Sequence, residues 1–346
     1  MQKSIQKYSK KSLKPCAVSL GILFATLIGP LSASLPMALA AASDNKKDPP
    51  VEASATSSAY AVPDGAKQVD LLPGQPPLLM WTPAGTESSS KGVVLCLHEL
   101  GMHSGVFGDL GKRLSENGYI VYAMDERGFG GWEQMKGDEA RMNLTRILAD
   151  IKDVAVALHK KHENKPVFLL GEAMGGTLVL KAAASNPGLI QGTISSTPGG
   201  AHFNTGHNYM TVCKHLITAP SKRFPMGKEL ISAGTPNVDQ QQFLQNEAKV
   251  RINLTPKELM SCQFFMYKAR SFAQQIKSTP VMIVQGKLDG ETKPMSSQKV
   301  FDSLSTGDKK MVMVPDGDHY VYEGKHVNDG AMKDTLAWLD SHLPTR

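Results

Sequence analysis

The feature that most constrains this chain is the segment Val167-Phe168-Leu169-Leu170-Gly171-Glu172-Ala173-Met174-Gly175-Gly176, an apolar run that leads straight into the helix-like Thr177-Leu178-Val179-Leu180-Lys181. Glycines two before and two after a central residue are what a strand needs when it turns into a helix so sharply that side chains there would collide. The same spacing with serine at the centre, G-x-S-x-G, holds a nucleophile at the apex of the turn. Here the centre is Ala173, and a methyl group cannot attack a carbonyl. The segment predicts a strand, a tight turn and a helix, a frame for covalent chemistry without its reacting atom.

Apolar runs at 78–81, 93–97, 120–124, 167–170, 190–195, 281–284 and 311–314 alternate, from the second onward, with helical patterns at about 105–117, 143–162, 174–185, 296–304 and 329–342. Strands that are apolar throughout, rather than at every second position, belong to a mainly parallel sheet covered by helices on both faces, an α/β class. The alternation stops between 198 and 277, where the pattern is helical at 240–250 and 256–275. That stretch is too long for a plain connection. It reads as a helical cap inserted over the carboxyl ends of the strands, where open α/β sheets bind ligands. With 346 residues, 41% of them hydrophobic, the chain can build one large domain over 61–346.

The first forty residues read differently. Lys3, Lys7, Lys10, Lys11 and Lys14 precede an uncharged apolar stretch from Ala17 to about Ile28, then Pro30, Pro36 and the small-residue site Ala38-Leu39-Ala40. Basic, apolar and A-x-A parts in that order predict a signal peptide over 1–40, cleaved to leave a periplasmic or extracellular protein with no transmembrane span; the alternative is an uncleaved N-terminal anchor. Cys16 lies before the apolar run, unlike a lipid-attachment cysteine. Those five lysines supply most of the formal net charge of +6, so the basic balance does not point to nucleic acid. Residues 41–60 lack apolar periodicity and read as a flexible linker. Export leaves Cys96, Cys213 and Cys262, an odd number that rules out a disulfide framework; a Cys213–Cys262 bridge stays open, and Cys96 reads as a small core residue.

Two later loops complete the chemistry expected around residue 173. After 281–284 comes Gln285-Gly286-Lys287-Leu288-Asp289, and after 311–314 comes Pro315-Asp316-Gly317-Asp318-His319. Nucleophile, acid, base is the chain order of the triad in α/β-hydrolases, which makes Asp289 the group that orients the imidazole and His319 the general base. Alone, Asp289 would read as a turn residue and His319 as a surface loop histidine. Their order after Ala173 favours the site. The oxyanion donors would be the backbone N–H groups of Met174 and of Leu100, the latter in the loop 98–107.

Five ordered motifs resemble the monoacylglycerol lipase and lysophospholipase branch of the α/β-hydrolases, also described as serine aminopeptidase-like: His98-x-x-Gly101-x-His103-Ser104-Gly105, the run 122–130, Gly171-Glu172-Ala173-Met174-Gly175-Gly176, Gly286-x-x-Asp289 and Gly317-Asp318-His319. The resemblance covers about 75–342 and implies an α/β-hydrolase fold with a carboxylic-ester substrate, no cofactor and no metal. It implies little about the substrate's identity, because the cap is the least matched part. In such relatives the elbow would read Gly-Glu-Ser-Met-Gly-Gly and the oxyanion loop His-Gly-x-Gly. Two departures stand out: Ala173 for serine, and Glu99 for the glycine beside the oxyanion donor.

Glu172 fits the pattern as a structural residue of the elbow, and His103 and Arg127 read as scaffold. His202, His207, Cys213 and His215 match no zinc spacing. Met210, Met226, Met260 and Met266 suit either an apolar pocket lining or ordinary core. The favoured reading is an exported, catalytically impaired hydrolase-fold protein that binds an acyl or small apolar ligand. The alternative is a serine carboxylic-ester hydrolase, either active through a bound water with His319 as base or artificially inactivated at 173. Glu99 weighs toward the first, since a second change at the oxyanion loop is not needed to disable an enzyme that already lacks its serine.

Overall fold

The computed structural model describes residues 62–345 apart from 85, 86, 203 and 204, with only the main chain described at 205–209 and 211. The signal-peptide and linker expectations for 1–60 lie outside the described residues. Eight strands form one sheet in the order β1-β2-β4-β3-β5-β6-β7-β8. They are β1 Ala66–Val69, β2 Leu78–Trp81, β3 Gly92–Leu97, β4 Tyr119–Met124, β5 Val167–Glu172, β6 Gly192–Ser196, β7 Val281–Gly286 and β8 Lys309–Val314. From β4 through β8 all neighbours are parallel, while β2 runs antiparallel to both β1 and β4.

The continuous apolar strands have the reason expected of them, burial on both faces. Along β3, Val93, Leu95 and Leu97 enter one core, while Val94 and Cys96 enter the other. The first core is closed by α2 (Leu144–Lys161), α3 (Met174–Ser185), α8 (Ala269–Gln275) and α9 (Pro294–Ser303); the second by α1 (Gly108–Glu116) and α10 (Asp329–Ser341). Helix starts follow local chemistry: Asn143 and Asn328 accept hydrogen bonds from the backbone N–H groups of Arg146 and Ala331, satisfying donors that a helix leaves open.

Between β6 and β7 lie five helices: α4 (Thr205–Thr218), α5 (Met226–Gly234), α6 (Val238–Asn246), α7 (Pro256–Tyr267) and α8. The helical pattern read over 240–250 ends at Asn246, and the one over 256–275 breaks at Lys268. A Thr255–Glu258 capping box with Pro256 in the first turn starts α7. Three elements went unread, one of them α4 (Thr205–Thr218). The edge strand β1 carries Lys67 and Gln68 exposed and so lacks an apolar signature, and α5 follows Pro225 without a side-chain cap. Cys213 and Cys262 are free thiols, so the bridge left open does not form. Among the described residues no helix is long and apolar enough to cross a membrane.

The glycines of the elbow are forced by contact. A Cβ on Gly171 would strike the backbone of Gly175, one on Gly175 the carbonyl oxygens of Leu97 and His98, and one on Gly176 the carbonyl oxygen of Ser196. Strand β3 thus packs directly on the first turn of α3, with no room for a side chain. Gly175→Ala is expected to lower stability by about 1–3 kcal/mol through overpacking. Gly307→Ala, with open space around its Cβ, should leave it nearly unchanged. Chemical denaturation of both variants checks the contrast.

Candidate functional site

Ala173 sits between β5 and α3 with φ 48° and ψ −105°, a left-handed conformation that costs a non-glycine residue free energy on the order of 1–3 kcal/mol. Hydrogen bonds hold it there: its N–H donates to the Ser196 carbonyl at 3.0 Å, and its own carbonyl accepts from Thr177 N–H at 3.0 Å. Met174 opens α3, so its N–H is one of those a helix start leaves without an intrahelical partner.

His319 and Asp289 come together as the loop order predicted. His319 Nδ1 lies 2.9 Å from Asp289 Oδ2, and both side chains are fully buried. Asp289 also accepts from Gln285 Nε2 and from the backbone N–H groups of Glu291 and Thr292, each at 2.8 Å. Burial alone would raise its carboxyl, but the His319 charge and hydrogen bonds from His319 and Gln285 hold it below the usual carboxylate range.

The other face of the imidazole is unusual. His319 Nε2 lies 3.5 Å from Glu99 Oε2 and 3.8 Å from Glu291 Oε2, and these three atoms have no hydrogen-bond partner among the described residues. Burial disfavours the imidazolium, yet the charges of Asp289, Glu291 and Glu99 outweigh it and hold His319 well above its ordinary value. Burial pushes Glu291 up to about 8, with the His319 charge acting the other way and the charges of Glu99 and Asp289 adding to the rise. Glu291 was not singled out in the sequence. Two positions beyond Asp289, it reads as part of a polar turn, and only the fold brings it to Glu99.

Loop 98–107 is pinned from three sides. His98 Nδ1 lies 2.7 Å from the Glu99 carbonyl oxygen and its Nε2 2.7 Å from Glu126 Oε2, while Glu99 N–H donates to Glu323 Oε1 at 2.7 Å. His103 Nδ1 accepts from Gly105 N–H, and Arg127 pairs with Asp150 and Glu139, so both are scaffold as read. Glu172 is structural too: it accepts from Ser196 Oγ and from the backbone N–H groups of Val321, Tyr322 and Glu323.

Glu99, Leu100, Ala173, Met174 and Glu291 border one cavity whose apolar walls include Val212, Met226, Leu230, Leu259, Met260 and Met266. Met226, Met260 and Met266 therefore face the cavity, whereas Met210 is 69% exposed and lines nothing there. His202 joins the rim: its Nδ1 lies 3.4 Å from Thr292 Oγ1 and 3.8 Å from Glu291 Oε1. Burial, aided by the His319 charge, pushes it down to about 4. His215 stacks instead on Phe224 with ring centres 4.9 Å apart. The side chain of His207 is outside those described.

A family model described as serine aminopeptidase, S33, matches residues 88–324. The chain belongs to that family of α/β-hydrolases. Within it the monoglyceride lipase branch is the one matched. A monoacylglycerol lipase of Mycolicibacterium smegmatis is 25% identical over 272 residues, 76% of this chain and 92% of that protein. A monoglyceride lipase homolog of Monkeypox virus is 24% identical over 257 residues, 72% of this chain and 89% of that one. Among solved structures, a soluble variant of monoglyceride lipase from Saccharomyces cerevisiae superposes with a TM-score of 0.69 at 23% identity, covering 82% of this chain and 97% of that chain. The Paleococcus ferrophilus monoacylglycerol lipase does so with a TM-score of 0.63 at 25% identity, covering 77% and 98%.

The buried acid cluster sets a direction for stability against pH. A group held above its unfolded value stabilises the fold fully below that unfolded value, and the contribution is lost as pH rises through the folded one. His319 and Glu291 both have this sign, and Glu291 loses its share between its ordinary 4.5 and about 8. Asp289 has the opposite sign, but its window lies below 3.8. The melting temperature, in buffer containing EDTA, is expected to fall as pH rises from about 4.5 to about 8, the window of Glu291. Glu291→Gln should flatten part of that fall; an unchanged slope would show that Glu291 does not titrate there.

Proposed function

We propose that this protein is an exported, monoglyceride lipase-like member of its family that has lost acyl transfer and uses its cavity to bind an acyl or other small apolar ligand. The observation that carries the reading is Ala173 at the apex of a strained elbow in a chain that keeps a buried His319–Asp289 pair, with no hydroxyl at residue 173 for it to activate. Removing the nucleophile of a serine protease costs about 10⁶ in kcat even when the rest survives. Glu99 adds a second obstacle. Its buried carboxylate lies near His319 in the loop that would supply Leu100 N–H to a developing oxyanion, so one negative group would stand where another must form.

The apolar wall of the cavity supports a hydrocarbon ligand, since binding sites for small molecules combine such walls with a few convergent polar groups. Export rests on the order of basic, apolar and small-residue parts in the first forty residues.

The full-length protein is expected not to react with a fluorophosphonate probe, while its Ala173→Ser variant is labelled. On p-nitrophenyl butyrate, the native protein and its His319→Ala variant should both match a heat-denatured control; a rate lost on replacing His319 would instead support attack by a bound water. Ala173→Ser should be weakly active, and Ala173→Ser with Glu99→Gly should gain more than the two single changes predict, because nucleophile and oxyanion site act on one transition state. Full activity in Ala173→Ser alone would show Glu99 to be innocuous and favour the enzyme reading. Displacement of a fluorescent fatty-acid probe by monoacylglycerol, abolished by Leu230→Trp in the cavity wall, tests the ligand.

A further inference from the structure

At the cavity wall, Glu99 and Glu291 meet a buried histidine, and the three side chains come from distant parts of the chain. Glu99 follows β3, Glu291 follows β7 and His319 follows β8. One carboxylate oxygen of each glutamate and Nε2 of the histidine lie within 4.8 Å of one another. The imidazole is fully buried and the Glu99 side chain is 6% exposed, and the facing atoms, Glu99 Oε2, Glu291 Oε2 and His319 Nε2, are buried with no hydrogen-bond partner among the described residues. Buried polar atoms are overwhelmingly paired, so three unpaired ones converging on one point call for a common partner.

We infer that Glu99, Glu291 and His319 form a binding site for one divalent transition-metal ion, of the zinc or manganese class, at the cavity wall. Two carboxylates and a neutral imidazole balance a dipositive charge, and this mixture of oxygen and nitrogen donors suits such ions. The spacing is close to what one ion needs. Bonds of about 2.1 Å in a tetrahedral arrangement separate ligand atoms by about 3.4 Å, and His319 Nε2 lies 3.5 and 3.8 Å from the two carboxylate oxygens. Small rotations of the two glutamates close the rest.

The surroundings carry the hallmark of a held ligand. Asp289 accepts from Nδ1, which fixes the tautomer that leaves Nε2 free to coordinate, as carboxylates do behind metal-binding histidines. Glu99 and Glu291 line the cavity, which leaves room beside them for water or an oxygen of a bound molecule to complete the coordination. Metal binding at these groups does not depend on what fills the apolar part of the cavity.

The full-length protein, stripped with EDTA and desalted, is titrated calorimetrically with Zn²⁺ alone, and with Co²⁺ as a spectroscopic probe. One tight equivalent is expected, accompanied by proton release and, for Co²⁺, by visible d–d bands. Glu99→Gln and Glu291→Gln should each weaken binding at least about tenfold, and Asp289→Asn about 10- to 100-fold through the loosened imidazole. His215→Ala should change nothing, which separates this site from the histidines of α4. Circular dichroism identifies any variant that fails to fold, and the Co²⁺ spectrum of the native protein then decides. No stoichiometric binding, Co²⁺ without d–d bands, or Zn²⁺ affinity unchanged in a folded Glu99→Gln/Glu291→Gln double variant would overturn the site.

Discussion

The carboxylate of Glu172 is the interaction on which the rest of the site depends. It ends β5, one residue before the elbow apex, and accepts hydrogen bonds from Val321, Tyr322 and Glu323 N–H at 2.9, 3.0 and 2.8 Å. It thereby anchors the segment that follows His319 to the strand that carries Ala173. Burial pushes it up to about 7, opposed by the Ser196 hydrogen bond and the His319 charge. The tie continues outward, because Glu323 accepts the Glu99 N–H. Elbow, base loop and oxyanion loop are thus fastened by two acidic side chains to backbone donors, a network whose members depend on one another in a low dielectric.

That framework explains why the elbow keeps its shape with an alanine at residue 173. A left-handed alanine persists only where its surroundings over-determine it. Here the surroundings are the Ser196 and Thr177 hydrogen bonds and the side-chain-free packing of Gly171, Gly175 and Gly176. None of those contacts involves the side chain of residue 173.

The electrostatics in front of His319 are dominated by acidic side chains. An imidazole facing Glu99 and Glu291, with Asp289 behind it, is set up to hold a positive charge, either its own proton or, as proposed above, a bound cation. Uncompensated carboxylates are expensive to bury. Keeping two beside a buried histidine therefore makes chemical sense when something positive sits between them.

The order of the strands' apolar runs, the elbow glycines and the loops ending in Asp289 and His319 were all legible in the sequence, because each is a local signal: continuous burial, a sterically enforced spacing, a polar loop after a strand. The place of Ala173 at the apex of the turn was legible for the same reason. The edge strand β1 was not, since exposed Lys67 and Gln68 carry no burial signature. Nor was the absence of a Cys213–Cys262 bridge, which depends on where two helices of the insertion lie rather than on their content. Glu291 and its meeting with Glu99 were decided by tertiary structure alone. The parallel sheet places the carboxyl ends of β3, β7 and β8 at one edge, so residues far apart along the chain converge on one imidazole, and no spacing in the sequence encodes a distance that arises from packing one strand beside another.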